Sequence, residues 1–359
     1  MLATKEKIQV NLSEDFKTDI VTYSIRIPSG DNVQPFRLSF QDDLLKIFHD
    51  KTISKHELNY KERSSLITYG CLKKIIDIIC SHHNLKPIFN ELMLEDVNVS
   101  HWAIVSFEEE EREPVELKKE IHSRLTHRGA YKDMPKETIN DIQAKLFNDF
   151  KIVKISKKQA KELALNDQNV WKSKIAVSDL MNQVNLFKYE NYGLNFNNLY
   201  MPYANILNLF LAKLFPSFGK VLFPIVKQVV TSLFMSSSSI LVYKKDLDKK
   251  EDYIEMGEDC YHQWLELTKM GYYLQPMTTS SSPLLCASHK FEELNDHETS
   301  KRFIERYHEM SHLLGVDGNI GWLFRIGVPK SKDVPSLRIN EQEFTSVNHL
   351  YDENLKSQE

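Results

Sequence analysis

Apolar residues recur along this chain at two spacings, and the change from one to the other predicts its secondary structure. The clearest helix spans residues 64–83, where Leu72, Ile75 and Ile79 recur at helical spacing. Further helices are predicted at residues 13–27, 118–124, 136–147, 157–165, 252–270 and 301–313. Short apolar runs predict strands at residues 37–40, 44–49, 86–92, 102–107, 151–155, 240–243 and 322–326. This order lacks a strict strand–helix–strand rhythm, which favours an α+β fold over a doubly wound parallel sheet.

A run of charged residues, EEEEREPVE at 108–116, interrupts the pattern of apolar segments. Such a run is typical of a solvated linker, so we take it as the junction between two halves. The first half is residues 1–115 and the second is residues 116–340. Each half is predicted to combine an antiparallel-rich sheet with a long helix. The polar tail, residues 341–359, is expected to fray.

The stretch 205–243 is rich in leucine, phenylalanine, valine and isoleucine. Lysines and prolines interrupt it, so no apolar run reaches the roughly 18–20 residues that a membrane-spanning helix needs. We interpret the stretch as short helices that cover a core or a pocket. The alternative is a peripheral contact with a membrane surface, because lysines among apolar residues suit that interface.

Composition excludes some classes of function but does not identify the function of the chain. Hydrophobic residues make up 42% and charged residues 27% of the 359 residues, as in ordinary globular proteins. A net charge of −4 gives no electrostatic reason to expect nucleic acid as a partner. Cys71 and Cys80 fall in an apolar helical pattern and are predicted to be buried free thiols. These thiols and a beginning without an apolar signal segment predict a cytoplasmic protein.

A loop rich in proline and glycine follows the first predicted helix, with the sequence PSGDNVQPF at residues 28–36. Its prolines fix the backbone, its glycine frees it, and its serine and asparagine offer side-chain hydrogen bonds. A rigid loop of this kind suits a ligand site, whereas the alternative is a plain turn from a helix into a strand. The candidate binding residues are Pro28, Ser29, Gly30, Asn32 and Gln34.

Basic and hydroxyl side chains alternate in the segment RLTHRGAY, residues 124–131. If this segment is extended or turns, Arg124, Thr126 and Arg128 converge on one side. Two guanidinium groups and a hydroxyl there suit a phosphate, because arginine matches phosphate oxygens in a bidentate way. The alternative is a pair of solvated arginines at a helix end.

Two further segments join strands to turns. GYYLQPMT, residues 271–278, reads as a helix end, a short strand and a loop whose backbone amides can face a ring system. FRIGVP, residues 324–329, ends a strand in a glycine–proline turn and is followed by cations. The alternative for the first segment is a plain helix-to-strand connection. The alternative for the second is a strand end followed by solvated charges. The candidate residues here are Gln275, Pro276, Met277, Thr278 and Arg338.

Taken in order, the four segments resemble the FMN-dependent nitroreductase family over residues 12–338. PSGDNVQPF is similar to the family loop P-S-x-x-N-x-Q-P-W, with Phe36 in place of tryptophan, and RLTHR is similar to the phosphate motif R-x-S-x-R, with Thr126 in place of serine. GYYLQPM and FRIGVP resemble the strand and loop under the flavin and the terminal strand and turn. The loop precedes the arginine motif here, which resembles the internally duplicated branch, whose single chain mimics a dimer.

The resemblance implies a role for each candidate residue. Arg124 and Thr126, with Arg338, hold the FMN phosphate, and Arg128 lies near the N1–C2=O edge of the flavin. Pro28, Ser29 and Asn32 come from the other half and pack on the ring and ribityl chain, and backbone near 275–278 completes the pocket. Neither half contains a second full set of motifs, so we predict one FMN per chain and a monomer.

The activity implied by the resemblance is that of an oxidoreductase. It takes hydride from NAD(P)H and passes electrons to a nitroaromatic, a quinone or another small-molecule acceptor, and the flavin needs no catalytic acid or base. A second hypothesis is a non-enzymatic FMN-sequestering protein closed by a lid, since the apolar insertion 185–239 is large enough to be one. A third is a flavin-independent interaction protein on the same scaffold.

The string His308-Glu309-Met310-Ser311-His312 has the spacing H-E-x-x-H of zinc hydrolases. We rank that function below the flavoprotein, because a pattern with three fixed positions arises readily by chance and its helix is short and charged. No metal ligand is therefore among the predicted site residues.

Overall fold

The computed structural model describes residues 10–54, 57–93, 99–127, 129–171, 231–232, 234–277, 281, 305, 308–317, 320–331, 335–336 and 338–346. The helices are α1 (Glu14–Ser24), α2 (Lys51–Ser54), α3 (Arg63–Ser81), α4 (Lys118–Ser123), α5 (Lys136–Gln143), α6 (Lys157–Trp171), α7 (Lys250–Lys269) and α8 (Glu341–Thr345). The strands are β1 (Phe36–Gln41), β2 (Leu44–Asp50), β3 (Leu85–Glu91), β4 (Val99–Glu109), β5 (Phe150–Lys154), β6 (Ser239–Tyr243), β7 (Tyr273–Pro276) and β8 (Trp322–Gly327).

Two four-stranded sheets form the framework, one from each half of the chain. The strand orders are β1-β2-β4-β3 and β5-β6-β8-β7, and every pair is antiparallel. The long helix α3 precedes the edge strand β3, and the long helix α7 precedes the edge strand β7 in the same way. The predicted α+β class, with an antiparallel-rich sheet flanked by helices in each half, is confirmed.

Helix α1 shows how local sequence sets an element. The Ser13 side chain accepts a hydrogen bond from the Phe16 amide at 3.2 Å and caps the helix, as predicted. Phe16 and Ile20 lie one turn apart and are buried. The helix ends at Ser24 and not at residue 27, because the residue before Pro28 avoids the helical conformation.

Two other predicted bounds were wrong. Helix α5 ends at Gln143, whose side chain turns to β5, donates to the Phe150 carbonyl and accepts from the Ile152 amide. Strand β4 runs on to Glu109, so the charge run contributes its first two residues to a sheet. Pairing with β3 continues there while the side chains of Glu108 and Glu109 both remain exposed to solvent.

Helices α3 and α7 cross at two glycines. A Cβ atom on Gly70 would lie 2.0 Å from the Ile254 carbonyl oxygen, and one on Gly257 would lie 2.1 Å from the Ile67 carbonyl oxygen. The contacts are reciprocal, since each glycine meets the residue three positions before the other glycine. Only glycine allows two helix backbones to approach so closely.

One hydrophobic cluster joins the two halves. It contains buried residues of both sheets and of α1, α3 and α7, with Trp102 and Trp264 among the largest. A smaller cluster lies between α6, β6 and the helical residues 308–314. Cys71, Cys80 and Cys260 are buried and free, which confirms the prediction for the first two, and burial raises the pKa of Cys71 to about 12.

The tail and the apolar stretch differ in part from expectation. Residues 341–345, expected to fray, form α8, because Asn340 caps the helix and Phe344 is buried in the core. Residues 239–243 are the buried strand β6, as predicted for 240–243, so the alternative of a membrane contact through 205–243 stays open only for the residues that precede it. Most of the insertion 185–239 lies outside the described residues. Within the part of the chain that is described, no helix is long and apolar enough to cross a membrane.

Candidate functional site

The PSGDNVQPF loop is held by its own polar groups, as predicted. Gly30–Asn32 form one turn of 3-10 helix, in which the Asn32 amide donates to the Ser29 carbonyl at 3.1 Å. The Ser29 hydroxyl accepts from the Gln34 amide at 3.0 Å. Arg37, buried at the start of β1, donates to the carbonyl of Gln34 at 2.7 Å. These bonds fix the loop before any ligand binds.

Strained backbone is concentrated where this loop meets the beginning of α3. Asn32 and Gln34 have φ angles of 57° and 52°, and Lys61 and Glu62, just before α3, have 49° and 60°. A Cβ atom on Gly30 would lie 2.6 Å from the Ser64 hydroxyl in the first turn of α3. Left-handed conformations of non-glycine residues cluster at functional sites, so this junction is a candidate site on conformational grounds alone.

A buried polar cluster supports the same junction. The His49 Nε2 atom lies 3.0 Å from both the Ser54 and Ser65 hydroxyls, and Asn59 donates to Ser65 at 2.9 Å. His49 is fully buried and its ring packs 4.3 Å from that of Trp102. Burial, with a smaller contribution from the charge of Lys51, lowers the pKa of His49 to about 3. The histidine is therefore neutral in the folded protein at physiological pH.

This depressed pKa predicts that the protein loses stability in acid. The unfolded chain takes up a proton on His49 near pH 6.5 but the folded protein only near pH 3, so stability falls as pH drops through that window. From pH 7.5 to 4.5, we expect this one group to remove roughly 2 to 3 kcal/mol from the free energy of unfolding.

Urea denaturation at the two pH values measures that loss. His49→Gln should lose less stability on acidification than the wild type, whereas His308→Gln, at an exposed histidine, should behave as the wild type does. Equal losses in the wild type and His49→Gln would contradict the assignment to His49.

Arg124 connects the second motif to the first. Its Nη2 atom donates to the Arg26 carbonyl at 2.9 Å across 98 residues of sequence, two positions before Pro28. The side chain is 4% exposed, and the guanidinium carbon lies 4.5 Å from the centre of the Trp264 ring and 5.7 Å from that of Tyr261. The aromatic rings of α7 therefore hold a cation beside the PSGDNVQPF loop.

Arg338 connects the end of the chain to the same place. Its Nη1 atom donates to the Asn32 side-chain oxygen, and the Ile339 amide donates to the Gln34 side-chain oxygen at 3.1 Å. Burial raises the pKa of Tyr261 to about 12, while the nearby charges of Arg124 and Arg338 oppose that rise. Arg124 and Arg338, which are far apart in sequence, thus both lie near one buried tyrosine.

The third motif, GYYLQPMT, lies beside the second, RLTHRGAY, at strand β7 of the sheet formed by β5, β6, β8 and β7. Thr126 forms a parallel bridge with Leu274, and the His127 amide donates to the Leu274 carbonyl at 3.1 Å. Gln275 and Pro276 are in β7, and the Met277 amide donates to the Leu323 carbonyl at 2.9 Å. Contacts therefore link the four motifs in sequence: the second lies beside the first, the third pairs with the second, and the fourth pairs with the third. Arg128 and Thr278 lie outside the described residues.

Sequence reasoning missed three residues of this cluster. Arg26 lies beside Arg124, and burial, followed by the charge of Arg124, lowers the pKa of Arg26. Tyr261 and Trp264 on α7 form the aromatic support for Arg124. The position of Arg26, two residues before the loop, was a usable signal. Nothing local distinguishes the two aromatic residues from core residues, because their spacing fits a buried helix face.

The chemistry of the cluster suits a phosphate. Arg26 and Arg124 form no ion pair with any acidic side chain of the described chain, and the buried Arg124 Nε atom has no hydrogen-bond partner there. A buried donor and neighbouring like charges are costly unless an anion satisfies them. The donor set thus fits the phosphate group of FMN.

Two other features lie away from this cluster. A groove of about 500 Å³ between the start of α1 and the end of α3 is lined by Leu12, His83 and Glu110 among others, and by no predicted cofactor residue. His308 and His312 are exposed on the helical residues 308–314. Among the described residues, no three histidine, cysteine or acidic side chains are grouped as metal ligands.

No family model matches the sequence, and no curated protein matches it. A nitroreductase-like family protein from Bacillus cereus is 12% identical, with 66% of this chain and 97% of that chain covered at a TM-score of 0.33. A nitroreductase with bound FMN from Desulfitobacterium hafniense DCB-2 is 13% identical, with coverages of 65% and 97% and a TM-score of 0.33. An FMN- and NADPH-dependent nitroreductase from sphigopyxis sp. strain HMH is 12% identical, with coverages of 65% and 98% and a TM-score of 0.36. Similarities at these scores and identities establish no relationship, and the function of this chain is therefore inferred from its own residues.

Proposed function

We propose that this chain is a flavoprotein that binds one FMN between its two halves and uses it as a nitroreductase-type oxidoreductase. One observation carries the proposal. Arg124 of the RLTHR segment donates to the carbonyl of Arg26, two residues before the PSGDNVQPF loop and 98 residues away in sequence, so the loop and the segment lie beside a group of arginines that suits a phosphate. The two strings that resemble the family motifs thus lie together, as a shared cofactor site requires.

In this proposal each residue has a role in binding or positioning. Arg124 and Thr126, with Arg338, hold the phosphate, and the charge of Arg26 adds to theirs. The loop residues Pro28, Ser29, Gly30, Asn32 and Gln34 pack on the ring and ribityl chain. Backbone and side chains of Gln275, Pro276, Met277 and Thr278 complete the pocket, and Arg128 lies near the N1–C2=O edge of the ring.

The proposed chemistry belongs to the cofactor. FMN, when bound, would supply the hydride and electron transfer from NAD(P)H to a nitroaromatic, a quinone or a similar acceptor. Side chains of this chain bind the cofactor, exclude water and place positive charge near it. Such a charge favours the reduced, anionic form of the cofactor.

One site per chain follows from comparing the two halves. The loop before β1 carries PSGDNVQPF, whereas the corresponding residues before β5, 144–149, read AKLFND and contain no such motif. Strands β1 and β5 hold the same edge position in their sheets, so these segments are topological counterparts.

An internal duplication explains this arrangement best. The identical strand orders and the reciprocal Gly70–Gly257 crossing are what a fused pair of related halves would give. We therefore propose that the chain is a monomer that reproduces the interface of a dimer. The junction at 108–116 and the two halves, 1–115 and 116–340, stay predictions of this scheme.

Reconstitution with FMN, followed by an absorbance spectrum of the purified protein, tests the proposal. We expect flavin absorbance equal to one FMN per chain, bleached on addition of NADPH or NADH under anaerobic conditions. One FMN that neither reductant bleaches would favour the sequestering function. Two FMN per chain would refute the single site, and none after reconstitution would refute the flavoprotein.

A further inference from the structure

Arg325 is a buried charged residue with several hydrogen bonds, and it lies on β8, the inner strand between β6 and β7, apart from the cluster of Arg26, Arg124 and Arg338. It is 2% exposed, and its Nε atom donates to the Ser237 hydroxyl at 2.6 Å. Its Nη2 atom donates to the Gly129 carbonyl at 2.9 Å, and its Nη1 atom donates to the Gln275 side-chain oxygen. Burying a guanidinium is costly, so a buried arginine with this many directed bonds points to a positional role.

These bonds tie together segments that are distant in sequence. Gly129 follows the RLTHR segment, Gln275 belongs to β7, and Ser237 lies just before β6 at the end of the apolar insertion. The guanidinium also lies 4.9 Å from the centre of the Tyr131 ring, and the Tyr131 hydroxyl donates to the His127 carbonyl at 3.1 Å. Arg325 therefore fixes the segment at Gly129 to the strand that carries Gln275.

The bond to Gln275 also fixes the orientation of its amide. A guanidinium only donates hydrogen bonds, so the amide oxygen of Gln275 must face Arg325 and the amide nitrogen must face away. Gln275 is half-buried, which leaves that nitrogen as a donor at the rim of the sheet. A donor held in one orientation recognises an acceptor better than one that can flip.

We propose that Arg325 is a positioning residue of the flavin site, which orients the Gln275 amide so that its nitrogen donates to a hydrogen-bond acceptor of the ring. This inference rests on the proposed function. Arg325 is proposed to act on the flavin ring, whereas Arg124 is proposed to act on the phosphate. The ring is common to FMN and riboflavin, but the phosphate is not. Loss of Arg325 should therefore weaken the binding of both flavins equally.

Dissociation constants for FMN and riboflavin, measured by quenching of flavin fluorescence, test the proposal. Arg325→Met and Gln275→Leu should each weaken both flavins about tenfold, and the double variant should be little weaker than either single variant. Arg112→Met, at a half-exposed arginine that pairs with Asp77, is the matched control and should leave both constants unchanged. The midpoint potential of bound FMN should also fall in the two single variants, because a donor to the ring favours the reduced form.

The outcomes separate the two proposals. If the wild type binds flavin but folded Arg325→Met binds riboflavin as well as the wild type does, the positioning role is wrong and the flavoprotein stands. Additive losses in the double variant would also overturn the role. If Arg325→Met does not fold, Arg325→Lys, which keeps the charge but not the fork of donors, takes its place beside Gln275→Leu. A wild type that binds neither flavin overturns both proposals.

Discussion

Replacing Gly70 by alanine is expected to lower the free energy of unfolding by about 3 kcal/mol or more. The added methyl group would lie 2.0 Å from the Ile254 carbonyl oxygen and 2.9 Å from the Gly257 Cα atom. Both are backbone atoms of a buried helix, so no side chain can rotate away to make room. Helices α3 and α7 must separate, and their separation opens voids in the core that both halves share.

Urea denaturation of Gly70→Ala and Gly257→Ala measures this effect. The two losses should be similar, since the contacts at the crossing are reciprocal. Gly271→Ala is the matched control, because its Cβ atom meets nothing within 4 Å and only its φ of +84° is unfavourable. That control should lose only about 1–2 kcal/mol. If both crossing variants lose no more than the control, the close packing of α3 and α7 is wrong.

The crossing also matters for the candidate site. Tyr261 and Trp264, which hold the Arg124 guanidinium, are one and two turns beyond Gly257 on α7. The first turn of α3 contacts Gly30 of the PSGDNVQPF loop. Moving the two helices apart therefore moves the arginine support and the loop relative to each other.

Replacing Arg124 by methionine is expected to weaken FMN binding about 10- to 150-fold, which corresponds to the roughly 1.5–3 kcal/mol of one charge-assisted hydrogen bond. Riboflavin lacks the phosphate, so its affinity should change little. Arg124→Lys should be intermediate, since lysine keeps the charge but loses the bidentate geometry. Fluorescence titration with the two flavins measures all three values.

The contrast between the two flavins makes this result specific. Arg124 variants should discriminate between FMN and riboflavin, whereas Arg325 variants should not. Arg112→Met again serves as the control for removal of an arginine. Parallel denaturation shows whether each variant is folded, because Arg124 also bonds the Arg26 carbonyl. Equal weakening of both flavins by folded Arg124→Met would remove Arg124 from the phosphate site.

The sequence predicted most elements and missed mainly their ends. Helix α3 and strands β1 to β4 were recognised, because apolar spacing over several turns or alternations is a strong signal. The end of α5 was misplaced because Gln143 turns to bond β5. Helix α8 was missed because five polar-rich residues form a helix only when Phe344 packs into the core.

The sequence by itself determined what depends on neighbours within a few residues: the Ser13 cap, the turn chemistry of PSGDNVQPF and the alternation of Arg124 and Thr126. Only the tertiary structure decided that Arg124 reaches Arg26, that Gly70 meets Gly257, and that Arg325 orients Gln275. Local hydrogen bonds and hydrophobic periodicity depend on residues that are close together in the sequence. Contacts between distant segments instead depend on how whole helices and sheets pack, and no single stretch of sequence specifies that.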